Sequence, residues 1–475
     1  MTIPSRLPLV VDLDGTLILT DSLHEQIAAA LFSRPRSFFQ TVPHLLRGRA
    51  SVKAALSNEI DLSVARLPLY EDLVVWLQEE VTKGREIHIC SAAHQSIVDG
   101  IASRIGIFKT AVGSDTINLK GEAKADYLAK RFPCGFVYVG DSFSDLAVWR
   151  VASGVVLANA GSVVSKAARG LGKPVEAEFP GPKLTLSDSI KALRVHHWSK
   201  NALIFVPLIL GHLWTNSSAV ADTLLGLICL LLVTSGTYLV NDIADLDADR
   251  LHWSKRARAI ASGKLSIAAG FAIAAAALVT GLIGAFILSS AFALTIVAYL
   301  VLTLGYSFGL KRVPILDTFI IGTLFTTRLV MGIALLHQSF SEWLLAFSMF
   351  FFFSLAMAKR HTEIVRAGAS LMSNLAGRGY RTDDAPLTLI LGVSSSIASL
   401  LILILFIVEE VQKRNLYAYP KALWGMPVIL ALWVGRIWLL SHRGEMKDDP
   451  VSFALRDKVS LCLGLAVVTD FILAI

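Results

Sequence analysis

Hydrophobic and polar positions follow two different rules along this chain. Up to about Lys183, apolar runs are short and broken by charged residues, as in a domain that folds in water, whereas beyond Asn201 long uncharged apolar runs dominate. In the first part, Leu7 to Val11, Glu86 to Cys90 and Phe136 to Val139 are strand-length runs, each ending at a polar residue, with helical stretches between them. That pattern predicts an α/β domain over residues 1–172, built on a parallel sheet with its functional loops at the strand C-termini. Between the first two strands lies a mostly helical insertion, about residues 21–67, of the kind that caps a pocket. Gly172, Pro174, Pro180, Gly181 and Pro182 then mark residues 173–190 as a linker.

In the second part, residues 191–475, the stretch Ile267 to Leu310 carries no charge and is about twice the ~20 residues one helix needs to cross a bilayer. It predicts two spans turning near Ser289 and Ser290. The same measure gives spans near Asn201 to Trp214, Thr223 to Asn241, Ile267 to Leu288, Ala291 to Leu310, Ile315 to Leu336, Trp343 to Ala358, Leu387 to Val408, Ala422 to Leu440 and Val459 to Ile475. The expected architecture is therefore an α/β head followed by an all-α polytopic membrane domain of about nine helices.

Composition agrees with two solvents: 54% of the 475 residues are hydrophobic. The formal charge of +7 sits mostly in short segments between apolar runs, which fits the positive-inside rule and argues against nucleic acid. With the N-terminus inside, Arg250 to Lys264, Lys311 and Arg312, Lys359 to Arg381, and Arg443 to Lys458 all fall on the cytoplasmic side; Lys413, Arg414 and Lys421 break the pattern. The N-terminal apolar run is ended by Asp12 and Asp14, too early for a secretory signal, so the head and both candidate sites are expected in the cytoplasm of a multi-pass cell-membrane protein. Cys90, Cys134, Cys229 and Cys462 lack metal-like spacing and read as thiols in a reducing compartment.

The first chemistry-bearing motif is Asp12-Leu13-Asp14-Gly15-Thr16 at the end of the first strand. Two carboxylates one residue apart can divide labour: Asp12 attacks phosphorus while Asp14 moves a proton to or from the leaving group. Ser91, Lys124 and the segment Gly140-Asp141-Ser142-Phe143-Ser144-Asp145 follow at later strand or helix ends. A single such aspartate pair is matched by a solvated strand-to-helix turn; four ordered motifs are not. Together they resemble the haloacid dehalogenase superfamily, with its Rossmann-like α/β domain and helical cap. The resemblance implies an aspartyl-phosphate on Asp12, acid/base work by Asp14, a phosphoryl clamp of Ser91 and Lys124, with Lys120 the rival lysine, and Mg²⁺ held by Asp12, Asp14 and Asp141 with support from Asp145.

The second motif is Asn241-Asp242-Ile243-Ala244-Asp245-Leu246-Asp247-Ala248-Asp249, at the end of an expected span. At 100° per residue Asp242, Asp245 and Asp249 share a narrow arc and Asp247 points away. Three carboxylates on one face repel unless a cation joins them, and Mg²⁺ bridging to a diphosphate is the economical choice; a water-wetted acidic helix end is the plainer alternative. Lys200, Arg258, Lys311 and Arg328 are candidate phosphate partners. Arg328 stands out because it lies mid-span, where charge is expensive.

Asn241 to Asp249 matches the NDxxDxxxD motif of the UbiA superfamily. Leu193 to Asn201, Tyr306 to Lys311 and Asp317 are similar to the branch that makes decaprenyl-phosphate phosphoribose. The resemblance assigns Asp242, Asp245 and Asp249, with Asn241, to Mg²⁺ and donor binding, and Lys200, Tyr306, Lys311 and Asp317 to a second site. The chain departs from prenyl-transferring members in offering only Asp317 where they carry a second aspartate-rich motif. The expected substrates are thus a polyprenyl phosphate and phosphoribosyl diphosphate, with the fused phosphatase acting on the product. Prenyl transfer from a polyprenyl diphosphate to a small acceptor is the first alternative, and a transporter or scaffold the second; no inverted repeat or mid-membrane broken helix supports the latter.

Overall fold

A computed structural model of the chain describes residues 7–41, 43, 55–56, 59–60, 62–114, 119–338, 341–369, 378–411, 417–446 and 450–475. Much of the expected cap, and Lys413 and Arg414, lie outside these. The chain divides into two compact units: Met1–Leu193 with Tyr238–Ala274, and Arg194–Thr237 with Ala275–Ile475.

The first unit is built on six parallel strands, β1 (Leu9–Val11), β2 (Ile87–His94), β3 (Thr110–Ser114), β4 (Val137–Gly140), β5 (Gly154–Ala158) and β6 (Val175–Phe179), in the order β3-β2-β1-β4-β5-β6. β1, β4 and β5 are buried throughout, as parallel strands covered on both faces must be. Alternate strand residues feed two cores: Leu9, Val11, Val137 and Val139 on one side, Val10, Tyr138, Val155 and Leu157 on the other. The expected linker is corrected here. Val175, Ala177 and Phe179 are more covered than Glu176 and Glu178, a period-2 pattern that adds the sixth strand beside β5.

Helix α1 (Ser22–Ser33) opens the insertion, with Asp21 accepting from the backbone N–H groups of Leu23 and His24 as its N-cap. Helix α2 (Glu122–Arg131) leads toward β4. The Asp-rich segment belongs to this unit rather than to the other, a second difference from the expected boundaries. Ala28 and Phe32 of α1 join Leu239, Ile243, Leu246, Ile260 and Ile267 in one apolar cluster.

Seven described helices are long and apolar enough to cross a membrane: α3 (Ser217–Ala244), α5 (Ile267–Leu288), α6 (Ser290–Phe308), α7 (Leu316–Leu335), α8 (Glu342–Ala369), α9 (Thr382–Val411) and α10 (Pro420–His442). A short helix α4 (Leu246–Leu251) follows α3. The expected turn falls at Ser289, whose hydroxyl accepts from Phe292 N and starts α6. The two remaining expected spans are shorter elements. Val195–Phe205 is a 3-10 helix running into the five-residue helix Val206–Leu210, and Asn201 within it is buried on Thr234 and Arg328. Lys458–Ala474, 17 residues, gives about 26 Å of helix, less than the ~30 Å hydrocarbon core.

Candidate functional site

The head's strand order reverses direction between β1 and β4, and in doubly wound sheets that switch point is where ligands sit, outside the strand C-termini. Asp12 follows β1 and Asp141 follows β4 at this point, and the register Val11 to Ile89 carries Ser91 along the same edge. Lys124, fully enclosed in the first turn of α2, donates to Asp12 Oδ2 at 2.8 Å and to Tyr138 Oη at 2.8 Å. Tyr138 in turn donates to Asp145 Oδ1 at 3.1 Å. The structure thus places Lys124 against the nucleophile candidate, while Lys120 is exposed.

Asp145 is fixed by Asp141 N, Ser142 N and Ser142 Oγ at 3.2, 3.0 and 2.9 Å. Asp12, Asp141 and Asp145 bring one oxygen each within 4.8 Å of one another. Burial, then Asp145 and Asp12, push the Asp141 carboxyl up to about 8. Burial and Asp12 raise Asp145 as well. Burial alone would lower Lys124, but the carboxylates of Asp12 and Asp145 outweigh it and keep the ammonium charged. Such a cluster of hard oxygens, with two of its carboxyls pushed up by burial and by one another, suits a divalent cation.

Gly15 makes the approach possible: its φ is +74°, and a Cβ there would lie 2.4 Å from Asp141 Oδ2. Asp14 is placed differently from the expectation of a carboxylate ligand. Its oxygens accept from Ser22 N and Ser22 Oγ at 2.9 and 3.0 Å, and its carboxylate is not among the three that converge. Ser91 is buried, and its hydroxyl accepts from Ala93 N.

In the Asp-rich segment the sequence geometry holds with one change. The helix breaks at Asp245, between α3 and α4, yet Asp245 N and Asp249 N still bond the carbonyls of Asn241 and Asp245 at 2.9 and 2.8 Å. The arc therefore survives the break. Arg258 Nη1 reaches both Asp242 Oδ1, at 3.0 Å, and Asp249 Oδ2, at 2.6 Å, and Asn241 donates to Asp245 Oδ2 at 3.0 Å. Asp247 does point away, toward Arg66. Arg258, expected as a phosphate partner, is here the cation that relieves the carboxylate repulsion. Burial still pushes Asp249 up, although Arg258 opposes it.

In the second unit Asp317 is fully buried in the first turn of α7. Its Oδ2 accepts from Arg360 Nε at 2.6 Å and its Oδ1 from Tyr380 Oη at 2.7 Å. Arg360 also pairs with Glu363. Arg378 Nη1 donates to Tyr306 Oη at 2.7 Å and touches the Lys311 carbonyl at 3.4 Å. Of the four residues expected at a second site, Tyr306 and Asp317 meet through Arg360 and Arg378 and Lys311 joins by its carbonyl, whereas Lys200 lies beside Phe325 instead, and Asp317 serves as an anchor with both oxygens engaged. Arg378, Tyr380 and Glu363 were missed. Glu363 stands one turn after Arg360 and was legible as a helical pair; Arg378 and Tyr380 lie some 60 residues from their partners, with no local signal.

Arg328 is not part of that cluster. It stands 11 residues beyond Asp317, about 16 Å along α7. It donates to Asn201 Oδ1 at 2.8 Å, to Tyr299 Oη at 3.0 Å and to the Leu324 carbonyl. Lys200 Nζ lies 5.9 Å from the Phe325 ring centroid, and the Arg328 guanidinium lies 5.5 Å from it.

An α/β unit that carries two carboxylate clusters, in a chain with seven described helices long and apolar enough to cross a membrane, defines a membrane group-transfer enzyme. The chain belongs to the UbiA prenyltransferase family, whose profile matches residues 204–454. It is similar to the uncharacterized protein y4nM of Sinorhizobium fredii, 44% identical over 99% of this chain and 91% of that one. The nodulation protein NoeC of Azorhizobium caulinodans is 32% identical over 61% of this chain and 95% of its own length. The decaprenyl-phosphate phosphoribosyltransferase of Corynebacterium glutamicum is 36% identical over 41% of this chain and 60% of its own.

Proposed function

We propose that the membrane half transfers a 5-phosphoribosyl group from phosphoribosyl diphosphate to a polyprenyl phosphate, and that the head removes the 5-phosphate of the lipid-linked product. The observation that carries the transfer reading is the Tyr306–Arg360–Arg378 cluster. A second site for a prenyl diphosphate would present further carboxylates to a metal, whereas here the single aspartate, Asp317, is consumed by Arg360 and Tyr380, and Arg378, bonded to the Tyr306 hydroxyl and 3.9 Å from Asp317, adds a second guanidinium to the cluster, a balance that suits an anion better than a second cation. The likeness to the C. glutamicum phosphoribosyltransferase points the same way.

In the head, Asp12 attacks the phosphorus, the bond to the ester oxygen breaks, and Asp14 gives that oxygen its proton; Asp14 then takes a proton from the water that cleaves the aspartyl-phosphate. Lys124 neutralises the nucleophile's carboxylate throughout. Mg²⁺ held by Asp12, Asp141 and Asp145 would neutralise charge on the transferring phosphoryl oxygens. For the transfer reaction Asp242, Asp245 and Asp249 are the residues that would hold Mg²⁺ with the donor's diphosphate, and Arg258, which bonds Asp242 and Asp249, would exchange these carboxylate partners for phosphate oxygens.

The test is incubation of the purified protein in detergent with Mg²⁺, polyprenyl phosphate and radiolabelled phosphoribosyl diphosphate, beside Asp242→Ala. Label entering lipid only with the intact segment supports transfer, and later loss of one phosphate, abolished by Asp12→Asn, supports the head's role. Absence of labelled lipid from a folded sample that instead prenylates a small acceptor would replace this reading with prenyl transfer.

A further inference from the structure

The head and the Asp-rich segment share one compact unit, and the ion pair that joins them is used by neither reaction above. Helix α1 starts at Ser22, the residue whose N–H and hydroxyl hold Asp14. One turn later, about 4.5 Å along the axis, Glu25 accepts from Thr20 Oγ1 at 2.7 Å and from two nitrogens of Arg250, Nη1 at 3.0 Å and Nη2 at 2.6 Å. The third side of that guanidinium, Nε, donates to the Ala261 carbonyl at 3.2 Å. Both side chains are about 5% exposed. Arg250 adjoins Asp249 on α4, so one fork ties α1, α4 and the loop after it.

The fit around the pair is close. Gly263 has φ +78°, and a Cβ there would lie 2.4 Å from the Leu19 carbonyl, so this loop is pressed on the segment between Asp14 and α1. Phe32 stacks on Phe271 at 6.2 Å, and Lys264 bonds Asp188 at 3.1 Å. A fork–fork pair fixes direction as well as distance, which apolar packing alone does not.

We propose that Glu25, a residue of the head, is a positioning residue for the second carboxylate site: by holding Arg250 it sets α4, and so Asp249, against Asp242. The phosphatase-like head is then a working part of the transferase site. This rests on the reading that Asp242, Asp245 and Asp249 bind a metal–diphosphate.

The test uses the full-length protein in detergent and three readouts: binding of Mg²⁺ with methylenediphosphonate, taken as the part lost in Asp242→Ala; hydrolysis of an aryl phosphate by the head; and thermal unfolding. Residues that orient metal ligands typically change affinity 10- to 100-fold when altered. Glu25→Gln is expected to weaken the Asp242-dependent binding by about tenfold while aryl-phosphate hydrolysis changes less than about twofold, and Glu25→Gln with Arg250→Gln to lose no more than either alone. Arg250→Lys, which keeps the charge but not the fork, serves where Glu25→Gln unfolds, and a several-fold loss of binding is expected from it. Wild-type diphosphonate affinity in either single variant overturns the proposal, as does loss of binding and hydrolysis in equal measure. Absence of Asp242-dependent binding in the unaltered protein overturns the diphosphate reading itself, and the proposal with it.

Discussion

Lys124 Nζ donates to Asp12 Oδ2 at 2.8 Å inside the head, with the lysine side chain 3% exposed and the aspartate 11%. Removing one partner of such a pair leaves the other charge buried. Lys124→Met is expected to lower aryl-phosphate hydrolysis by about 10²–10³-fold, as loss of a charge-stabilising donor does, and to destabilise the head by about 3–5 kcal/mol. Steady-state hydrolysis and denaturant unfolding check the two separately.

Asp141 gives the head a pH dependence opposite in sign to that of a salt-bridged aspartate. Its carboxyl is raised to about 8 from an ordinary 3.8, so between those values the folded head keeps a proton that the unfolded chain has lost. The unfolded state then binds fewer protons, and stability falls as pH rises from about 4 to about 8. Binding a cation at Asp12, Asp141 and Asp145 displaces that proton. Without Mg²⁺ the head's unfolding temperature should decline from pH 5 to pH 8; with Mg²⁺ the decline should flatten, and calorimetry at pH 7 in buffers of different ionisation enthalpy should register proton release.

Much of this was legible from local pattern. The parallel sheet, the strand-end positions of Asp12 and Asp141, and the shared arc of Asp242, Asp245 and Asp249 follow from period-2 and period-3.6 geometry, which needs no tertiary information. The linker was misjudged because Pro and Gly around Val175–Phe179 hide a five-residue edge strand whose pairing with β5 is long-range. Docking of α1 on Arg250 was invisible because the partners are 225 residues apart, and Glu25 looks like any charged residue on a helix. Arg258 as a bridge was likewise beyond reach. Composition puts a cation near three carboxylates, and only the folded structure shows that a side chain, Arg258, bridges two of them, Asp242 and Asp249.

Cys90 and Cys134 should separate cleanly by reactivity. Burial pushes the Cys90 thiol up to about 12, despite Lys124, while Cys134 is exposed. Since only the thiolate reacts and Cys90 is both buried and held protonated, an alkylating reagent at pH 8 should modify Cys134 far faster than Cys90. Peptide mapping of the native protein should find label on Cys134 and not on Cys90, and both should label once the chain is unfolded.

Asp317→Asn tests the anchor role of a residue first read as a substrate ligand. Arg360, 1% exposed, would keep Glu363 but lose its buried carboxylate. The expected result is a loss of about 3–5 kcal/mol in stability, seen as earlier thermal unfolding in detergent. A direct ligand would show the reverse: unchanged unfolding and a raised KM.

Arg328 carries the sharpest question about the membrane half, because its hydrogen-bond partners among the described residues are all neutral: Asn201, Tyr299 and the Leu324 carbonyl. A guanidinium in a span is costly to keep, and its stacking against Tyr299 at 4.9 Å and Phe325 at 5.5 Å offsets part of that cost without cancelling the charge. Lys200 approaches the same Phe325 ring at 5.9 Å, so two basic side chains share one aromatic ring. Arg328→Lys keeps the charge but gives up the fork that reaches Asn201 and Tyr299 together. It should cost about 1–3 kcal/mol of stability from polar groups left unpaired and, on the reading proposed above, raise KM for the polyprenyl phosphate more than it lowers kcat. A variant whose stability falls while both kinetic constants stay unchanged would show Arg328 to be a structural residue alone.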